Sequence, residues 1–316
     1  MASLGKSSIT FHISDQLVEK NLRKIDQDIV KKSWFILPCN DGEAKRACQI
    51  LSALKAPYVH ISKQKWGAIL DKELDFLDWS IAKKVKRVFV FEIPGKNSAG
   101  MNCEDIFSKK GLELIIIDHH YYQWVNRYHE DSSLEQLCSW LKWPLNRADE
   151  AISVNDRSYI PGLCRLGLQH ADIVKVRNFD LNAQGFAASY ISSQRSKLPR
   201  ILNKLEEKKQ GDLWILKNPE IEKVFILEEL AVTADAGIVH MLEVAERKLS
   251  FSGSPKAVDY LLSLDYCEYG FKPGYVCYGG GDGSLAKFWG FRPKSSRELV
   301  KPKFVNTIIG FITKFL

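Results

Sequence analysis

Ile115-Ile116-Ile117 runs straight into Asp118-His119-His120, and this junction narrows the folds open to the chain more than any other stretch. A β-branched apolar run without alternation reads as a strand buried on both faces, the habit of parallel sheets covered by helices. Ligands of such sheets bind just beyond the carboxyl ends of the strands, where one carboxylate and two imidazoles would sit. Three potential metal-binding side chains in a row at that place are hard to explain by packing.

The same pattern recurs upstream. Trp34-Phe35-Ile36-Leu37 reads as a first strand and is soon followed by Asp41-Gly42. Tyr58–Ile61 makes a short second strand, and Arg87–Phe91 a third that ends at Glu92. Helical spacing fills the intervals: Gly42–Leu54, with Ala44, Ala47, Cys48 and Leu51 on one face, then Cys103–Lys110 and Ser132–Leu141. Ala151-Ile152-Ser153-Val154 is expected to be a further strand, ending at Asn155-Asp156. Strands alternating with helices at this interval predict an α/β fold with a doubly wound, mostly parallel sheet. Its acidic tips would converge. Clustered carboxylates in a cleft repel one another unless a cation neutralises them. Carboxylate and imidazole together suit Mn²⁺ or Mg²⁺, with Zn²⁺ and Fe²⁺ as further options.

Past about Asp180 the character changes. Residues 181–211 are polar and basic and read as a helical linker between a sheet domain over 1–180 and a smaller α/β domain over 212–316. The second domain is expected to hold strands at Val224–Leu227 and Lys248–Phe251, and helices over Gly237–Ala245 and Pro255–Leu264. A glycine run, Gly279-Gly280-Gly281-Asp282-Gly283-Ser284, follows.

Composition matters mainly for what it excludes. No apolar run approaches the ~20 residues of a transmembrane helix. Met1–Lys6 lacks the apolar core of a signal peptide, so a cytoplasmic protein is expected. Seven cysteines with no Cys-x-x-Cys spacing argue against a disulfide framework and a structural zinc site. The net charge of +7 suits anionic partners.

In this order the motifs resemble those of the DHH, or RecJ-like, phosphoesterases. Asp118-His119-His120 after a hydrophobic strand is similar to the family's signature. An Asp-Gly motif precedes it, a second acidic strand end lies between, and Ala151–Gly162 resembles the family's fourth motif. Residues 279–291, which include Lys287, resemble the phosphate-contacting glycine loop of the DHH-associated domain. The resemblance runs from Trp34 to Phe291.

Several implications follow from it. Asp41, Glu92, His119 and Asp156 match the ligands of one of the family's two metal ions. Asp118 is expected to ligate or to orient His119. His120 is expected to contact the scissile phosphate or assist proton transfer to the leaving oxygen, and Arg157 to contact a phosphate. Gly279, Gly280, Gly281, Asp282 and Lys287 would bind substrate. The implied activity is metal-dependent hydrolysis of phosphoester bonds in nucleotides, short oligonucleotides or single-stranded nucleic acid by metal-activated water, with Mn²⁺ or Mg²⁺. A homodimeric assembly is allowed, and no membrane is expected.

The departures are specific. Aligned on Asp41-Gly42, the family's first His and first Asp fall at Leu37 and Cys39. Leucine cannot bind a metal, and cysteine favours softer ions. Glu92 stands where Asp is usual, and Asp282 where the loop has His. A one-metal or altered two-metal centre is therefore expected. The alternative reading is a catalytically degenerate binding or scaffold protein of a nucleic-acid-processing complex. Hydrolysis of a phosphoanhydride is a third.

Overall fold

The computed structural model describes residues 9–64, 68–95, 103–122, 125–205, 209–217, 219–234, 238–272, 275–280, 287–294 and 298–316. By its internal contacts the chain divides into two units, Met1–Asp156 with Val174–Ala187, and Arg157–Ile173 with Ala188–Leu316.

The first unit is built on four parallel strands: β1 (Ser33–Leu37), β2 (Val59–Ile61), β3 (Arg87–Phe91) and β4 (Glu113–Ile117). Their order in the sheet is β2-β1-β3-β4. The chain leaves β1 toward β2 on one side and continues to β3 and β4 on the other. The sheet is therefore doubly wound, with its topological switch between β1 and β3.

Successive residues of a strand point to opposite faces, and both faces here are apolar. Phe35, Leu37, Phe89, Phe91 and Ile117 pack against α2 (Gln27–Lys32), α3 (Gly42–Ala53) and α5 (Ser133–Leu141). On the other face Trp34, Ile36, Val88 and Val90 pack against Leu70, Leu77 and Phe107, the last from α4 (Asp105–Lys109). α1 (Asp15–Asn21) precedes the sheet, and a short hairpin of β5 (Tyr121–Tyr122) and β6 (Val125–Asn126) follows β4.

Two helices come next, α6 (Arg147–Arg165) and α7 (His170–Ala183), and each contributes residues to both units. The expected strand at Ala151–Val154 is instead the middle of α6. A four-residue apolar run is equally compatible with a buried helix face, and here it lies in the helical stretch that runs from Arg147 up to a kink at Tyr159.

The second unit also contains α8 (Ala188–Leu205), β7 (Lys209–Gln210), β8 (Leu213–Lys217), α9 (Lys223–Thr233), β9 (His240–Ala245), β10 (Lys248–Gly253), α10 (Pro255–Ser263), β11 (Val276–Gly280), β12 (Lys287–Arg292) and α11 (Pro302–Thr313). Its six-stranded sheet has the order β11-β12-β10-β9-β8-β7, with only the β8–β9 pair parallel.

Two expectations reverse here. Val224–Leu227 is helical and lies in the first half of α9, where Phe225, Ile226, Leu227 and Glu228 are all buried, so the run is apolar all round rather than alternating. The stretch at 240–245 is a strand, paired antiparallel to β10 across a tight two-residue turn. Leu249, Phe251, Trp289 and Phe291 form the core with α10 and α11. Among the described residues no helix is long and apolar enough to cross a membrane. All seven cysteines are free, with Cys39 and Cys267 exposed.

Candidate metal centre

The carboxyl ends of β1, β3 and β4 open on one edge of the parallel sheet, and the polar residues that follow them fold over it. After β1 the chain turns into α3 at Asp41, whose Oδ1 accepts from the Ala44 amide at 2.8 Å and caps the helix. That cap places Glu43 in the first turn of α3, 1% exposed. Its Oε1 accepts from the Leu134 amide at 3.0 Å.

Glu92 follows β3 directly. Its amide donates to Ile117 O at 2.9 Å, and its φ is 50°. A non-glycine residue in this left-handed region is strained, and such strain concentrates at functional sites. After β4, Asp118 and His119 are both buried. Asp156 comes from α6.

His119 Nε2 stands at the middle of these groups, 2.7 Å from Asp156 Oδ2, 3.6 Å from Glu92 Oε1 and 3.7 Å from Glu43 Oε2. One ligand atom from each of Glu43, Glu92, His119 and Asp156 lies within 4.8 Å of all the others, and Glu92, His119 and His120 form a second, overlapping group. An ion with bonds of ~2.1 Å has ligands ~3 Å apart at neighbouring positions and ~4.2 Å apart across it. The observed separations match that scale.

The burial is unfavourable as it stands. Glu43 Oε2, Glu92 Oε1 and Asp156 Oδ2 are buried without a hydrogen bond of good geometry. Burial, and then the charges of Asp156 and Glu92, push the Glu43 carboxyl well above the usual range. Asp41 is pushed up in the same way, by burial and then by Glu92 and Asp156. Burial works against the charge of Asp156 too, but the adjoining His119 imidazole outweighs it and holds Asp156 below its ordinary value. Three carboxylate oxygens and one imidazole nitrogen form a hard donor set that fits a divalent cation.

The other expected residues fall into place unevenly. His120 donates its amide to Asp118 Oδ1 at 3.0 Å, and its Nδ1 meets the same oxygen at 2.9 Å. Asp118 thus holds the ring of His120. Burial alone would lower the His120 pKa, but the bond to Asp118 and the charge of Glu92 lift it to about 9. Asp41 senses Glu92 and Asp156 but stands outside the converging groups, its Oδ1 spent on the cap.

Leu37 is part of the apolar core and Cys39 is exposed. Arg157 counts with the second unit. Gly279 and Gly280 end β11, while Gly281 and Asp282 lie outside the described residues. Lys287 Nζ pairs with Asp259 at 2.9 and 3.3 Å.

Sequence reading missed Glu43. The signal was present in Asp41-Gly42-Glu43. An acidic residue one position past a capped helix start is ordinarily a surface group that favours the helix dipole. Only its burial marks it as different.

No family model and no curated protein sequence matches this chain. Among solved structures it is similar to a crystal structure of exonuclease RecJ bound to manganese, at 13% identity and a TM-score of 0.41, over 98% of this chain and 97% of that one. It is also similar to a crystal structure of RecJ from Thermus thermophilus in complex with Mg²⁺, at 12% identity and a TM-score of 0.39, over 96% of this chain and 52% of that one.

Proposed function

We propose that this chain is a divalent-metal-dependent phosphoesterase of the DHH kind, acting on nucleotides, short oligonucleotides or single-stranded nucleic acid. The observation that carries the reading is the convergence of Glu43, Glu92, His119 and Asp156 at the switch point of a doubly wound sheet. Two buried carboxylates and a half-buried third facing one another are poor architecture without a cation, and with one they become its ligands. Mn²⁺ or Mg²⁺ is the ion proposed, and in such a site it supplies charge neutralisation for phosphoryl oxygens and acidifies bound water.

The remaining work falls to the protein. Asp118 fixes the ring of His120 through Nδ1, so the proton for transfer is the one on Nε2. His120 is 42% exposed, and its free ring edge is open to a substrate. It is therefore suited to protonate the leaving oxygen of a phosphoester. The +7 charge of the chain favours polyanionic substrates.

The test joins Mn²⁺-binding calorimetry to hydrolysis of a short single-stranded oligonucleotide and of a generic phosphodiester. Bound metal and turnover, both lost in His119→Ala, support the enzyme. A protein that takes up no Mn²⁺ and cleaves neither substrate is instead the degenerate scaffold, for which Leu37 and Cys39 speak.

A further inference from the structure

Two separate arms bring carboxylates to the centre, the start of α3 with Glu43 and the middle of α6 with Asp156. Both arms are tied to one pair of residues on α7. Asp180 is 7% exposed and Arg177 is 3% exposed. Asp180 Oδ1 accepts from the Gly42 amide at 2.8 Å, the residue between Asp41 and Glu43. Its Oδ2 accepts from Arg177 Nη1 at 2.5 Å and from Gln184 Nε2 at 2.9 Å. The same Arg177 Nη1 donates to Asn155 Oδ1 at 3.0 Å, next to Asp156.

The geometry points to Arg177 and Asp180 as positioning residues that set the spacing between the Glu43 and Asp156 arms of the centre; this rests on the metal-centre reading above. A helix start has unbonded amides, and Asp180 takes one that Asp41 does not. The contact is close enough to crowd any side chain at position 42. A Cβ there would lie 3.2 Å from both Asp180 Cα and Oδ1, so glycine lets the backbones approach. Arg177 balances the Asp180 charge, so this carboxylate tethers the loop through its oxygens without competing for a cation. The ligands would therefore be held at their separation before any ion arrives, and an ion would not have to organise them.

The test measures Mn²⁺ affinity by calorimetry, and the electron paramagnetic resonance line shape of bound Mn²⁺, on the full chain and four variants. Removing groups that orient metal ligands typically weakens affinity ~10–100-fold. Asp180→Ala is expected to fall in that range with the number of bound ions unchanged. Asp180→Asn keeps an acceptor for Gly42 and is expected to restore most of the affinity and the parent line shape. Gly42→Ala and Arg177→Met, which disturb the tether from its two ends, serve if Asp180→Ala fails to fold, and each is expected to weaken Mn²⁺ binding.

A purely structural role would lower thermal stability and leave the affinity and line shape of the folded fraction alone, and that result overturns the proposal. A parent chain that binds Mn²⁺ with Asp180→Ala equal to it sinks the tether alone. A parent that binds none sinks the centre and the tether together.

Discussion

α3 and α6 bury charge against each other at two levels, and the levels differ in kind. At one, Arg46 and Asp149 are both fully buried and joined by Nε to Oδ1 at 2.6 Å. Arg46 Nη1 also donates to Phe11 O at 2.7 Å, and Asp149 Oδ2 accepts from the Asn146 amide at 3.0 Å. At the other, Glu43, one turn before Arg46, meets Asp156, two turns after Asp149, and both are acids. The same two helices thus carry a matched pair and an opposed pair. The matched pair has its compensation within the chain and reads as a structural lock. The opposed pair, with Glu92, has one imidazole among three carboxylates and calls for something from outside the chain.

The largest effect is expected at the lock. Arg46→Met leaves Asp149 buried without its cation and should cost about 3–5 kcal/mol of stability. Urea denaturation reads this directly, and a variant as stable as the parent would erase the distinction between the two levels.

At the opposed level, ligand removal should act on metal rather than on folding. His119→Ala should weaken Mn²⁺ binding by more than ~100-fold, beyond what removal of an orienting group does. A titration followed by calorimetry checks it, with a melt to confirm that the fold persists.

Glu43→Gln sharpens the contrast further, because it should stabilise the metal-free protein. Burial raises the Glu43 pKa, so between its unfolded and folded values the native state binds more protons than the unfolded state. Stability then falls as pH rises through that window. The glutamine variant escapes the penalty and keeps an acceptor for Leu134. It should melt higher than the parent at pH 8, with the gap closing as the pH falls toward the ordinary carboxylate range. Saturating Mn²⁺ should reverse the ranking.

The smallest effect belongs to a pair in the open. Lys287 meets Asp259, which is 57% exposed, so Lys287→Ala should change stability by less than about 1 kcal/mol. A larger loss in a chemical melt would show that the buried and exposed cases differ less than argued.

The sequence displayed the sheet plainly. Apolar runs at 33–37, 87–91 and 113–117 have no other good reading, and Glu92, His119 and His120 follow from the position of strand ends. Asp156 was found for a partly wrong reason. The short run before it is apolar on both readings, and only the helical residues on both sides of it separate helix from strand. Glu43 and Asp180 were not legible, because their significance lies in burial and in contacts across more than ninety residues of chain. Val224–Leu227 failed through composition, since β-branched and aromatic residues in α9 follow the packing of the second unit rather than local propensity.

The backbone at Glu92 sets two demands against each other at a single position. Glycine would relax its φ of 50° and delete a side chain that faces His119. Glu92→Gly should therefore give a sturdier chain with a poorer grip on cations, whereas Glu92→Gln retains the conformational burden and loses the charge. Melting both variants with and without Mn²⁺ would separate tension in the main chain from attraction at the tip, and a glycine variant no steadier than the glutamine one would show that the bend carries little tension.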